Sequence, residues 1–189
     1  MSSVFSPPRF SEVVLQHTHL RLYLMSCPGV RFEVDGLVAN GDLLMQDLRR
    51  LQAHDARMVL SCICDSEFAL GVGCYAEEFQ RMGITWRKVP IPDMTAPSPD
   101  HDIALDCVLA EAKQVLANGG GLAIHCLAGL GRTGTVAARF AMTEGLTAAQ
   151  AIAFIRTRHN HQAIETHEQE AYLLRRDVSF QQSTRAGPP

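Results

Sequence analysis

The chain has 189 residues, 47% of them hydrophobic and 20% charged, long enough for one domain with a substantial core. Seventeen basic residues against twenty acidic give a net charge of −3, which argues against a global attraction to nucleic acid or an anionic membrane and leaves any anion affinity to a local site. No apolar run approaches the roughly 18 residues of a membrane span, and the opening MSSVFSPPRFSEVV lacks the basic-then-apolar order of a secretory signal.

Residues 1–19 read as an irregular lead-in, polar and proline-containing. LRLYLMSC predicts a first strand, stopped by Pro28-Gly29. VRFEVDG alternates in the strand manner, with Val30, Phe32 and Val34 on one face. After Asn40-Gly41-Asp42, Leu44, Leu48 and Leu51 recur at helical spacing and predict a helix to about His54. RMVLSCIC suits a buried parallel strand, YAEEFQRMG a short helix closed by Gly83, and ITWRKVPIP a further strand. The proline-rich loop PIPDMTAPSPD leads into a long helix whose apolar stripe includes Leu105, Leu109, Ala112 and Leu116. Asn118-Gly119-Gly120-Gly121 ends it, LAIHC is the next strand, and a helix begins near Arg132. Thr147 to Gln150 forms a capping box, a final helix runs from about Glu165 to Asp177, and residues 179–189 read as a flexible tail. Strands alternating with helices make this an α/β chain, a single domain over residues 20–178 around a mostly parallel sheet.

Cys27, Cys62, Cys64, Cys74, Cys107 and Cys126 mostly lie in apolar segments, which suits buried thiols in a reducing cytoplasm better than a disulfide scaffold. Cys62 and Cys64 have no second ligand pair at zinc-like spacing, so no metal is expected.

The chemistry concentrates in GLAIHCLAGLGRTG, residues 121–134. Cys126 falls just past the carboxyl end of a central strand, where open α/β sheets bind ligands. The loop Leu127, Ala128, Gly129, Leu130, Gly131 follows, and its glycines allow backbone N–H groups to turn inward as an anion nest. A helix N-terminus and the fork of Arg132 add to the same space, giving a cradle for a tetrahedral dianion with a sulfur at its floor. Both favour thiolate over thiol, so Cys126 reads as a nucleophile aimed at phosphorus. Thr133 is placed to hydrogen-bond the sulfur and assist its departure, and His125 reads as an orienting residue rather than a base.

His125-Cys126-x5-Arg132-Thr133-Gly134 resembles the signature of the cysteine-dependent protein phosphatases, in their compact dual-specificity branch. MGITWRKVPIPDMTAPSPD, AIHCLAGLGRTG and TAAQAIAFIRTRHNHQAIETHEQEAYL resemble, in order and spacing, the kinase-associated phosphatase (cyclin-dependent kinase inhibitor 3-like) group. The resemblance implies the protein-tyrosine-phosphatase-like fold and hydrolysis of phosphotyrosine, and of phosphoserine or phosphothreonine, through a phosphocysteine without metal or cofactor. It also implies a phosphoprotein or phosphopeptide substrate, a kinase among the candidates, and a monomer. The family's general acid corresponds to Asp93, with Asp100 and Asp102 as rivals; Asp100 otherwise reads as a helix N-cap and Asp102 as a first-turn acid. Gln169 resembles the family's water-orienting glutamine, a plain exposed helix residue being the alternative. Glu165 stands where relatives often carry another glutamine.

Cys64 reads either as a strand-end residue or as a redox partner that protects Cys126 as a disulfide. Two other functions compete: a phosphoprotein-binding module without turnover, and an enzyme for phosphoinositides or other non-protein monoesters. The set Cys126, Arg132, Thr133 and Asp93 favours catalysis over binding. Leu127, Ala128 and Leu130 supply no cation for a polyanion.

Overall fold

A computed structural model describes residues 10–15 and 18–185, with side chains described through Asp177. Seven strands and six helices follow one another: β1 Ser11–Leu15, β2 Leu20–Met25, β3 Val30–Glu33, β4 Gly36–Ala39, α1 Gly41–Ala53, β5 Ala56–Ser61, α2 Val72–Arg81, β6 Thr85–Lys88, α3 Pro99–Ala117, β7 Gly121–His125, α4 Gly131–Thr143, α5 Ala148–Arg158 and α6 His167–Arg185. The main sheet has the order β1-β2-β7-β5-β6. Only the β1–β2 pairing is antiparallel; β2–β7, β7–β5 and β5–β6 are parallel. This is the expected α/β architecture with a mostly parallel sheet.

The parallel strands need crossovers, and helices supply them. Every residue of β7, GLAIH, is buried, because the strand has neighbours on both edges. Its carboxyl end is fixed from each side: Cys27 N–H donates to Leu127 O at 3.0 Å and Cys62 N–H to His125 O at 2.8 Å. Helix α4 lies against β2 and β7 and packs with α5 and α6, while α3 runs along β2, β5 and β7. The loop after β7 is thereby held between strand ends and helices.

Local signals explain most boundaries. Asn40 Oδ1 accepts the Leu43 N–H at 2.9 Å and starts α1. Thr147 and Gln150 form the expected reciprocal cap of α5, at 2.9 and 3.3 Å. At α3 the expectation fails: Ser98, not Asp100, is the N-cap, its hydroxyl accepting the His101 N–H while His101 Nδ1 accepts the Ser98 N–H. Pro99 then takes the first helical position, whose missing N–H costs nothing there, and this pushes Asp100 into the exposed first turn.

Three other expectations change. The lead-in is not irregular throughout: Ser11–Leu15 pairs with β2, with Val13 and Leu15 buried and Val14 exposed. The strand after Pro28-Gly29 stops at Glu33 and returns as β4, because Val34 and Asp35 form a two-residue hairpin loop before Gly36 at φ 128°. Helix α6 continues to Arg185, through most of the expected tail. The remainder of the tail, 186–189, and residues 1–9 of the lead-in lie outside the described residues.

Candidate active site

Cys126 follows β7 directly and is 3% exposed. The loop after it curls back so that Gly129 N–H points at Cys126 Sγ, 3.2 Å away. Gly129 has φ 85°, and a Cβ there would stand 2.6 Å from the Met25 carbonyl carbon and oxygen, so only glycine fits. Leu130 and Gly131 are buried and Leu127 and Ala128 half-buried. Behind the loop, His159 Nε2 donates to Gly129 O at 2.6 Å. Burial holds the His159 ring below the usual histidine range, although the bond to Gly129 opposes this.

His125 is fully buried. Its Nδ1 is 3.2 Å from Cys126 O, a carbonyl that only accepts, so Nδ1 carries the proton. Its Nε2 then accepts from Ser61 Oγ at 2.5 Å, and Ser61 Oγ accepts from Trp86 Nε1 at 2.6 Å. Burial, reinforced by the charge of Arg132, pushes the His125 pKa down to about 4, so the ring is neutral at physiological pH. With both nitrogens committed it fits an orienting residue.

Arg132 opens α4 and is 2% exposed. Glu67 takes both of its terminal nitrogens, Oε2 at 2.7 Å from Nη1 and Oε1 at 2.8 Å from Nη2. Nη1 also donates to Ile91 O at 3.0 Å, and Asp93 Oδ1 lies 2.8 Å from Nη2. Nε is buried with no partner. Burial raises the Glu67 pKa, but hydrogen bonds from Arg132 and the Cys64 N–H outweigh it and hold the carboxyl below its usual range. Glu67 is absent from the sequence expectations. Its local signal is modest: it closes a 3-10 turn, Asp65–Glu67, by accepting the Cys64 N–H at 2.9 Å.

Asp93 is the one candidate acid brought to Arg132, and its side chain is 64% exposed. Met94, next to it, has φ 59°. The rivals are placed elsewhere. Asp102 spends Oδ1 on Arg139 and the Tyr172 hydroxyl, each at 2.5 Å, and Oδ2 on Arg176 at 2.8 Å. Arg139 in turn is 2% exposed and also holds Asp106.

Thr133 and Gln169 differ from expectation. The Thr133 hydroxyl is buried without a partner, so the expected bond to sulfur is not made in this arrangement. Gln169 is 1% exposed, which removes the surface alternative. Its Oε1 accepts the N–H groups of Glu165 and Thr166 at 2.9 and 3.4 Å, and its Nε2 donates to Thr95 O at 3.1 Å. The amide thus ties the Asp93 loop to the start of α6. Glu165 reaches the loop after β7 itself, its carboxylate standing against Gly131.

Cys64 is half-buried among Glu67, Asp65 and Arg132. The thiols whose ionisation the Cys126 charge opposes are instead Cys27, pushed up to about 12 chiefly by burial, and Cys62, pushed higher for the same reason. They sit beyond the carboxyl ends of β2 and β5, the strands flanking β7. The described residues contain no cluster of three or more metal-ligating side chains and no helix long and apolar enough to cross a membrane.

Comparison with known proteins agrees with this geometry. The family described as "Polymorphic toxin system, DSP-PTPase phosphatase" matches residues 42–146, more than half of the chain. Tyrosine-protein phosphatase CDC14 of Candida albicans is 34% identical over 82 residues, 43% of this chain and 15% of that protein. The chain spans 15% and 55% of the lengths of the curated relatives it matches first. Among solved structures, kinase-associated phosphatase with serine replacing its catalytic cysteine superposes with a TM-score of 0.75 at 24% identity, covering 96% of this chain and 98% of that one. A mutant form of Tk-PTP gives 0.67 at 26% identity, covering 85% and 92%.

Proposed function

Because the chain belongs to the DSP-PTPase phosphatase family of polymorphic toxin systems, we propose that it is a cysteine-dependent protein phosphatase. Its substrates on this reading are phosphotyrosine and, in the dual-specificity manner, phosphoserine and phosphothreonine monoesters. One observation carries the reading. Cys126 Sγ receives the Gly129 N–H at 3.2 Å, in a loop that opens a helix with buried Arg132. Inward N–H groups, a helix N-terminus and a guanidinium around one sulfur form a cradle for a tetrahedral anion with a nucleophile beneath it.

The chemistry is two in-line displacements. Cys126 thiolate attacks phosphorus while loop N–H groups and Arg132 carry the equatorial oxygens. Asp93, protonated before the step, turns from Arg132 Nη2 to the leaving oxygen and gives it that proton, and the sulfur–phosphorus bond replaces the oxygen–phosphorus bond. Asp93 then takes a proton from the attacking water, and phosphate departs from the sulfur. Gln169 supports both steps by holding the acid loop at Thr95. Thr133 contributes when its hydroxyl turns to the departing sulfur.

Leu127, Ala128 and Leu130 add no cation to the loop, which supports a single phosphate on a protein side chain over a phosphoinositide. A kinase is one candidate phosphoprotein, from the sequence resemblance. Six unpaired cysteines suit a reducing compartment.

Turnover separates an enzyme from a binding module. Cys126→Ser is expected to abolish hydrolysis of an aryl phosphate with the circular dichroism spectrum unchanged, and retained turnover overturns the assignment. A panel of phosphotyrosine and phosphothreonine peptides then sets the substrate preference.

A further inference from the structure

Glu165 belongs to no step above, yet its carboxylate sits on the phosphate loop. It stands against Gly131, the first residue of α4, whose N–H is one of the donors a bound phosphoryl group needs. The approach is close: a Cβ on Gly131 would lie 2.5 Å from Glu165 Oε2 and 3.1 Å from the Gln169 amide.

The chain fixes this placement at a cost. Ile164, immediately before, has φ 63°, a left-handed conformation that a β-branched residue adopts only under constraint. Arg156 imposes it, its Nε donating to Ala163 O and its Nη2 to Ile164 O, each at 3.1 Å. On the other side Gln169 Oε1 accepts the Glu165 N–H. A strained residue clamped from both sides points a carboxylate at an anion seat.

We propose that Glu165 sets the charge selectivity of the phosphate seat: ionised, it stands against Gly131 and repels a dianion, so anion binding requires it to take up a proton or withdraw. Substrate binding is thereby coupled to proton uptake, and departure of product phosphate is favoured by the returning carboxylate. The inference rests on the phosphatase reading of the same seat. The charges facing Glu165 are Asp93 from the acid loop, which opposes its ionisation, and Arg132 from α4, which favours it. Glu67 holds the same guanidinium. Burial raises the Glu165 pKa above the usual carboxylate value.

Sulfate is a suitable probe because it is a tetrahedral dianion that does not titrate in the working range. Its binding to the full chain is measured by calorimetry near about pH 7.5 in buffers of different ionisation enthalpy, and again near about pH 4.5. Wild type is expected to take up a proton on binding at the higher pH. Glu165→Gln, which keeps an acceptor for Gly131, and Glu165→Ala are both expected to bind sulfate about tenfold more tightly there without that uptake. The advantage should vanish at the lower pH. Unchanged affinity and uptake in both variants overturns the proposal, as does uptake lost only in Asp93→Asn, or no sulfate binding by any variant. Loss of aryl phosphate turnover in Cys126→Ser tests the phosphatase reading separately, so the two can fail independently.

Discussion

Glu67 and Arg132 are 65 residues apart in sequence and meet as a two-pronged ion pair, 2.7 and 2.8 Å, with the arginine side chain 1% exposed. The two-pronged carboxylate fixes the guanidinium plane, so on the proposed mechanism the arginine arrives oriented for a phosphoryl group. Removing Glu67 leaves the buried guanidinium with only the exposed Asp93 as an ionic partner, and breaking a buried pair costs up to about 3–5 kcal/mol. Glu67→Ala is therefore expected to lower unfolding stability by roughly that amount in urea titration, with Glu67→Gln less affected. In the folded fraction KM should rise, since the arginine no longer holds one plane.

Asp93 and Gln169 make a linked prediction. Asp93→Ala should slow hydrolysis of poor leaving groups, such as alkyl phosphates, by about 100-fold and aryl phosphates with good leaving groups far less. Gln169→Leu, which releases Thr95, should show the same pattern more weakly, as a positioning residue acting through Asp93. Equal losses for both leaving groups would assign Gln169 to the water step instead. Asp100→Ala should leave both rates unchanged, because that side chain stands in the exposed first turn of α3.

His125 predicts a specific acid sensitivity. Its pKa falls from 6.5 to about 4 on folding, so the unfolded chain binds the extra proton between those values. Stability from this group is complete above about pH 6.5 and drains away as pH falls toward about 4, to the extent of about 3 kcal/mol. Chemical denaturation across that window should show a slope that His125→Gln reduces.

Gly129→Ala tests the loop. The new methyl would meet the Met25 carbonyl at 2.6 Å in a backbone with φ 85°, so the N–H over sulfur cannot keep its place. Activity should fall by at least about 100-fold, alongside a stability loss of about 1–3 kcal/mol. Full activity with unchanged melting would show that the loop accommodates a side chain.

Much of the fold follows from local patterns, because buried strands and capped helices write themselves into neighbouring residues. Cys126, Arg132 and the loop glycines were legible for the same reason: they share a single strand-loop-helix stretch. Glu67 was not, since nothing near it in sequence marks the arginine it meets. The chain from Trp86 through Ser61 to His125 was hidden likewise, by pairing of β5 with β6 and β7. β4 is hidden because its hairpin loop is Val34-Asp35, with Gly36 already in the strand, so the apolar alternation of β3 runs on through Val34. At α3 the aspartate after Pro99 imitates a cap, whereas the proline itself marks the first helical residue and Ser98 as the cap.

The clamp of Asp102 by Arg139, Tyr172 and Arg176 has a mechanical consequence for the acid. It moors the beginning of α3, and Gln169 moors Thr95, so on the proposed mechanism the helix is expected to stay in place when Asp93 leaves Arg132. The stroke of the aspartate is confined to a short span between Ile91, which Arg132 grips, and Thr95. Met94, already in a left-handed conformation, is the natural pivot of that span. On the proposed mechanism proton delivery is then expected as a flick of a few residues rather than the sweep of a long flap, with its reach bounded by the two moorings.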